Sequence, residues 1–482
     1  MMSNLIFQIS FVVTLLIMLV IGIWGYKKTK TADDYFAAGR SLGPFLSTAA
    51  FAGAYTSAAT VLGIIGLNYG FGIQYFTGLN IGIPLGLLIM VVLFLRPLRN
   101  FAGYTLSDVF SDRFDKNYGS FSGALIGLAY VVLLVPQFLG GSITLTLLLG
   151  MSMKIAVIIM GLVMIIYVVL GGVRAVAATD AFQYFILFGT VVIAGIYVIF
   201  KYGGVTDIVS SAYKVAPQNF APFGAYVKNP LYMIGLTLSW VLGGAAQPYI
   251  IMRAFSANTV RTAEKMARNF AGLQIINIFL LFIVAMAAIS LVPKGTLDSA
   301  DKVFPYLLKN TFSPVIGVLL LMGILGAILS TTDTILFTIG ASITNNVAKR
   351  FYPKMTDQSM IFVSRITIIV AGLIAIFIAM NPPGMISIIM GEIFGFIGCC
   401  FFVPLFASFY SRRATKEGAW ASTLGGGILY ILWKIYAPLT IKAYIHPTVA
   451  GIILAIVLMV VVSNAFPKPD ENIVNRFAGY CK

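Results

Sequence analysis

The feature that most restricts this chain is a recurring one. Apolar runs of about twenty residues, nearly free of charge, follow one another along its whole length. Ile155 to Leu170 and Gly451 to Val462 contain no charged residue at all. Each run is near the ~20 residues that a helix needs to cross a ~30 Å hydrocarbon core. Strands of a membrane barrel would be ~10 residues long and would alternate in polarity; these runs do not. Only 10% of the 482 residues are charged and the mean hydropathy is +0.96, against about 25% charged in a soluble domain. The reading is an all-α integral membrane protein.

Thirteen spans are expected, at 5–26, 43–69, 73–95, 119–149, 153–172, 176–201, 229–254, 270–293, 313–346, 359–381, 384–410, 418–437 and 447–466. No basic region precedes the first run, and Lys27, Lys28 and Lys30 follow it. That order is the reverse of a cleaved signal peptide, so the first helix is expected to be retained with its N-terminus outside. Of the 32 Lys and Arg residues, 23 then fall on inner segments, and the nine that remain are all lysines. This asymmetry follows the positive-inside rule and puts the C-terminus in the cytoplasm of a cell with the protein in its plasma membrane. It also accounts for the net charge of +16 without nucleic acid.

Several function classes lack their residues. Cys399 and Cys400 are adjacent, Cys481 stands apart, and His446 is the single histidine, so no common zinc site can be assembled. No Gly-rich loop ends in Gly-Lys-Ser/Thr, and the longest polar stretch, Lys201 to Lys228, is too short for a catalytic domain. No nucleophile–base pair supports an enzyme. Active transport by such a chain must draw on an ion gradient.

Ionisable groups inside hydrocarbon cost roughly 2.5–3.5 kcal/mol each on insertion scales. Among the acids only Asp180, Asp333 and Glu392 fall inside the spans. Thr179 and Asp180 enter the sixth span from a short turn, where they either cap the helix or offer hard oxygens to a small cation. The ninth span carries Ser330-Thr331-Thr332-Asp333-Thr334 in mid-helix. One hydroxyl there can bond back to its own helix, but a run with an acid suits a weakly held hard cation. The second span is rich in small and hydroxyl residues from Gly43 to Gly63. The seventh is interrupted at Gly243-Gly244-Ala245-Ala246-Gln247-Pro248. Interrupted helices at matching places in two halves point to a site near the bilayer midplane. Spans two to six and seven to eleven form two sets of five, as in an inverted repeat. The expected organisation is an extra helix and linker (1–42), a first five-helix repeat (43–201), an outer loop (202–228), a second repeat (229–410), and two C-terminal helices with an inner tail (411–482).

Five motifs in order carry a family resemblance. They are Gly39-Arg40-Ser41-Leu42-Gly43-Pro44, Thr105-Leu106-Ser107-Asp108, the stretch Gly171 to Gln183, Gln247-Pro248-Tyr249 with Arg253, and Leu329-Ser330-Thr331. From Asp33 to about Arg413 the sequence resembles the sodium:solute symporter family. The resemblance implies sodium as the coupling ion. It also implies a sodium site between the second and ninth spans, with carbonyls from Gly53, Thr56 and Ala327 and hydroxyls from Ser330 and Thr331. Members usually have alanine where this chain has Gly53. Asp180 matches an acidic position near the ion pathway, where some members bind a second sodium. Proline transporters of the family carry a tryptophan shortly after the first helix break, where this chain has Ala58-Ala59-Thr60; Gln137-Phe138-Leu139-Gly140-Gly141 looks more like pantothenate and acetate members. The expected substrate is a small organic solute, a carboxylate above all, bound near Tyr55, Gln137 and Trp240. Proton coupling through Asp180 or Glu392, or a proline-like amino acid, are the alternatives. No obligatory protein partner is expected.

Overall fold

The structure is a computed structural model, and it describes residues 6, 8–14, 16, 17, 20, 23, 31–170, 173–224, 227, 229–442 and 444–482. Long helices fall on the expected spans from the second onward. They are Pro44–Tyr55 with Ala59–Phe71, Ile73–Phe101, Lys116–Leu149, Met153–Leu170, Val173–Lys201, Pro230–Ala245 with Pro248–Ser256, Val260–Leu291, Pro314–Ser342, Asp357–Ala379, Ile386–Tyr410, Lys416–Tyr436 and Pro447–Ala465. The first span and Lys27, Lys28 and Lys30 lie largely outside the described residues; 6, 8–14, 16, 17, 20 and 23 are helical. By length and apolarity alone, nine described helices can cross a membrane, or ten when the bent pair Pro44–Tyr55 and Ala59–Phe71 counts as one span. Met153–Leu170 is shorter, and Lys416–Tyr436 is diluted by Gly, Ser and Thr.

In hydrocarbon every backbone polar group needs an internal partner, which is why the apolar runs become helices. Their starts are written in side chains. Asp115 accepts the Tyr118 N–H at 2.7 Å, and Asn229 accepts that of Tyr232 at 3.0 Å ahead of Pro230. Thr259, Thr356 and Thr415 cap three further helices in the same way, each satisfying an otherwise orphaned donor.

Two expectations about charge and loops change in detail. The 202–228 connection contains a helix, Val205–Val215, and the C-terminal tail contains another, Glu471–Gly479. The latter docks through the buried Phe477, which meets the rings of Phe101 and Phe409, and through the Tyr480 carbonyl, which accepts from Asn100 at 2.8 Å. Arg113 and Arg253, counted from the sequence as loop cations, are buried in the protein. Arg113 donates to the Ser408, Ser411 and Ala414 carbonyls.

Candidate functional site: two broken helices and an oxygen cage

The second span breaks at Thr56, whose backbone is extended (φ −88°, ψ 102°), and its halves meet at 57°. A break strands backbone groups that must find partners. Ala58 N–H donates to Gln137 Oε1 at 3.3 Å, and Ser57 N–H to Thr60 Oγ1 at 3.1 Å. The freed carbonyls face the ninth span. Ser330 Oγ donates to the Gly53 carbonyl at 2.8 Å and lies 3.2 Å from that of Ala327. Thr331 Oγ1 lies 3.1 Å from the Ala54 carbonyl and 3.4 Å from that of Thr56. All these residues are buried. The oxygens of Gly53, Thr56, Ala327, Ser330 and Thr331 are thus gathered at one place, joined by Ala54, which the sequence reading did not include.

The glycine at 53 has a steric reason. A Cβ added there would lie 2.6 Å from the backbone oxygen of Asp180 on the sixth span. The second and sixth spans touch backbone to backbone, so the alanine usual in relatives would have to push them apart.

Behind that contact is a buried polar network. Asp180 forms an ion pair with Arg253, which also donates to Thr334 Oγ1 at 2.5 Å. Thr334 Oγ1 lies 3.0 Å from the Ser330 carbonyl and 3.2 Å from Asp333 Oδ1. Tyr167 OH reaches Asp333 Oδ2 at 3.2 Å and also bonds Thr179. Asp180 alone pairs with the guanidinium, while Asp333 is held by Tyr167 and Thr334 beside it. The polar run of the ninth span divides its labour: Ser330 and Thr331 face the break, Thr332 bonds back to the Ile328 carbonyl at 2.6 Å, and Asp333 and Thr334 face the ion pair. The helix begins at Val173, seven residues before Asp180, so neither Thr179 nor Asp180 caps it as the sequence allowed. Arg253 was the missed member; its place in the motif after Gln247-Pro248 was the available signal.

The seventh span breaks at Ala246–Gln247, and Pro248 opens its second half. Tyr130 OH donates to Gln247 Oε1 at 2.5 Å and accepts the Tyr249 N–H at 3.2 Å. Tyr130 and Gln137 are seven residues apart on the fourth span, hence on one face, and each serves a different break. Tyr130 was not anticipated from the sequence.

Between the breaks lies a small cavity lined by Tyr55, Ser57, Ala59, Thr60, Leu79, Ile83, Trp240, Met390 and Phe394. Its volume is about 10 Å³, room for about one water. Of the expected substrate residues, Tyr55 and Trp240 line it; Gln137 is spent on the Ala58 N–H instead. The Trp240 indole N–H is buried without a partner. Glu392 lies elsewhere, paired with Lys434 at 2.7 Å and bonded by Tyr430 OH at 2.6 Å.

A helical membrane protein with two interrupted helices, one of them opening onto a buried oxygen cage, has the architecture of a secondary transporter. Residues 35–426 match the model of the sodium:solute symporter family, and the chain belongs to that family. It is 27% identical to a sodium/proline symporter of Staphylococcus aureus (strain bovine RF122 / ET3-1), over 96% of this chain and 93% of that one. It is 24% identical to the osmoregulated proline transporter OpuE of Bacillus subtilis (strain 168), over 96% and 95%. Among solved structures, a substrate-bound, outward-open Na+-coupled sialic acid symporter superposes with a TM-score of 0.81 at 18% identity, covering 96% of this chain and 98% of that one. Mhp1, a nucleobase-cation-symport-1 family transporter, in a closed conformation, gives 0.57 at 15% identity, over 92% and 97%. The chain is a transporter and not an enzyme.

Proposed function

We propose that this protein couples inward sodium movement to uptake of a small carboxylate-bearing solute by alternating access across the plasma membrane. The observation that carries the reading is the cage at the first break. Five buried oxygens, two of them carbonyls at the end of a half-helix, converge without a carboxylate among them. Such a neutral, hard-donor cage suits an ion that must be both bound and released. Gly53, Thr56 and Ala327 would offer carbonyls, and Ser330 and Thr331 would turn their hydroxyl oxygens from the carbonyls to the ion. Asp180, one shell away, would serve as a second ion position or relay.

The energetics are adequate. One cation falling through 100 mV yields roughly 2.3 kcal/mol, and a tenfold gradient adds about 1.4. Together that is roughly a 500-fold accumulation per ion.

The proline transporters among the relatives favour an amino-acid zwitterion over a simple anion. Trp240 N–H and the Ser57 and Thr60 hydroxyls on the cavity could donate to its carboxylate. With the N-terminus outside, the inner closure is the backbone clasp of Leu42 with Ser256 and Asn258, at 3.4 and 3.1 Å. The outer one includes Asp301 Oδ2 on the Ile386 N–H at 3.0 Å. The Leu42 clasp joins the linker ahead of the first set of five helices to the second set, and the loop that carries Asp301 meets the first set at Gly66, where an added Cβ would fall 2.6 Å from the Ala300 carbonyl oxygen; contacts between the two sets are what rocking between repeats would make and break.

The test is uptake by proteoliposomes of labelled proline, other neutral amino acids and simple carboxylates, in sodium or in choline at fixed pH. Sodium-dependent accumulation of a neutral amino acid is expected. Uptake that is unchanged in choline contradicts the sodium reading, and accumulation of simple carboxylates alone contradicts the zwitterion.

A further inference from the structure

We infer that the cleft between the third and eighth spans is a binding site for an anionic phospholipid of the inner leaflet. The inference rests on the orientation adopted above. The groove has a volume of about 550 Å³ and is lined by Pro84, Leu87, Leu88 and Val91 on one side and Arg261, Glu264, Lys265, Ala267, Arg268 and Ala271 on the other. Both walls are written in helical period. Residues 84, 87, 88 and 91 stand at i, i+3, i+4 and i+7, an apolar stripe on one face of the third span. Arg261, Lys265 and Arg268 stand at i, i+4 and i+7 of Val260–Leu291, and so fall on one face of the eighth. Along that axis they cover about 10 Å, the reach of a phospholipid headgroup.

The positive-inside rule explains cations at this end of a helix. It does not explain why three of them border an apolar cleft. None of the three makes an ion pair or side-chain hydrogen bond among the described residues. The one acid in the groove, Glu264, is paired at 3.2 Å with Arg96 of the third span, which offsets its charge toward a phosphate. Ala267 and Ala271 keep the cleft open beneath the cations, while Leu88 is exposed and Leu87 buried against the protein. Apolar contact below and unpaired positive charge at the headgroup level fit one ligand: acyl chains along the third span, phosphate against Arg261, Lys265 and Arg268. Basic pockets between spans on the cytoplasmic side suit anionic headgroups.

The purified protein is mixed in detergent with phosphatidylglycerol and phosphatidylcholine, and retained lipid is counted by native mass spectrometry, with no sodium gradient or solute present. Neither transport nor orientation enters this readout, so failure of the transport reading leaves it untouched. At roughly 1 kcal/mol per cation, phosphatidylglycerol should be preferred by about a hundredfold. The variant Arg261→Gln/Lys265→Gln/Arg268→Gln should lose that preference, and Arg261→Lys/Lys265→Arg/Arg268→Lys should keep most of it. Soluble glycerol phosphate should not compete, because it lacks acyl chains. Equal retention by the Gln variant and the wild type, or displacement by glycerol phosphate, overturns the proposal.

Discussion

The two broken helices are built alike and finished differently. Three residues before each break a glycine meets the backbone of the last helix in its own set of five. Gly53 stands against Asp180 on the sixth span and Gly243 against Phe394 on the eleventh, where added Cβ atoms would fall 2.6 and 2.3 Å from the carbonyl oxygens. The third helix of the opposite set then supplies the partners: the ninth span serves the first break, and the fourth serves the second. The chemistry diverges at that point. Ser330 and Thr331 meet carbonyls, so the first break presents acceptors that a cation can take over. Tyr130 meets an amide side chain and a backbone N–H, so the second break is closed on itself. Behind the first stands an ion pair; behind the second, an aromatic ring. Under the sodium coupling proposed above, this near-symmetry of place with asymmetry of donor and acceptor would let one break hold an ion while the other serves as a hinge.

The largest expected effect comes from removing the charge that distinguishes the first break. Asp180→Asn leaves Arg253 buried without its partner, a loss of about 3–5 kcal/mol for a pair of this kind. Sodium-driven accumulation should fall sharply while the equivalent change behind the second break, Phe394→Leu, leaves the sodium requirement in place. Normal accumulation in Asp180→Asn would limit that residue to a structural partner of Arg253.

Gly53→Ala and Gly243→Ala should each lower stability by about 3 kcal/mol, because a methyl group is forced against backbone rather than against a side chain that can turn. Thermal unfolding in detergent measures both. If Gly53→Ala is neutral, the backbone contact with Asp180 is not as close as the structure has it.

Tyr130→Phe sharpens the comparison from the other side. It leaves Gln247 Oε1 and the Tyr249 N–H unpaired, at a cost of about 1–3 kcal/mol. The melting temperature should drop and the sodium concentration for half-maximal uptake should not change. A shift in sodium requirement would mean that the second break also holds the ion.

These residues mark how far the sequence could be read. The helix positions were legible because hydrocarbon leaves the backbone few alternatives. Ser330 and Thr331 were legible because a polar run in an apolar helix is costly. Arg253 was counted with the inner-segment cations and quoted in a motif, but neither says anything about a partner 73 residues away in sequence. Tyr130 was invisible as one aromatic among many; its spacing of two helical turns from Gln137 becomes meaningful only when both breaks are seen to lean on one helix. Gln137, expected at the substrate, has its carbonyl oxygen committed to Ala58 because a broken helix must repair its own backbone before it binds anything.

A smaller effect tests the outer closure, away from both breaks. Burial pushes the Asp301 carboxyl up to about 6, against the partial relief of the Ile386 N–H. Unfolded, it would release its proton near 3.8. Between those values the folded protein binds more protons than the unfolded chain, so stability should fall as pH rises from about 4 to 6 and level off above. A shift of about one or two degrees in Tm is expected across that window. Asp301→Asn should abolish it. A wild-type Tm that rises through the same window would contradict the assignment.

The central claim is that the first break holds sodium, and equilibrium sodium binding to the purified protein tests it most directly. Wild type, Ser330→Ala and Thr331→Ala are titrated with sodium at constant ionic strength, and occupancy is followed with radioactive sodium. Each hydroxyl removed deletes one ligand to a charged ion and changes little volume, so each variant should bind about tenfold more weakly. Titrations of both variants that overlay the wild-type curve would place the ion elsewhere and contradict the account.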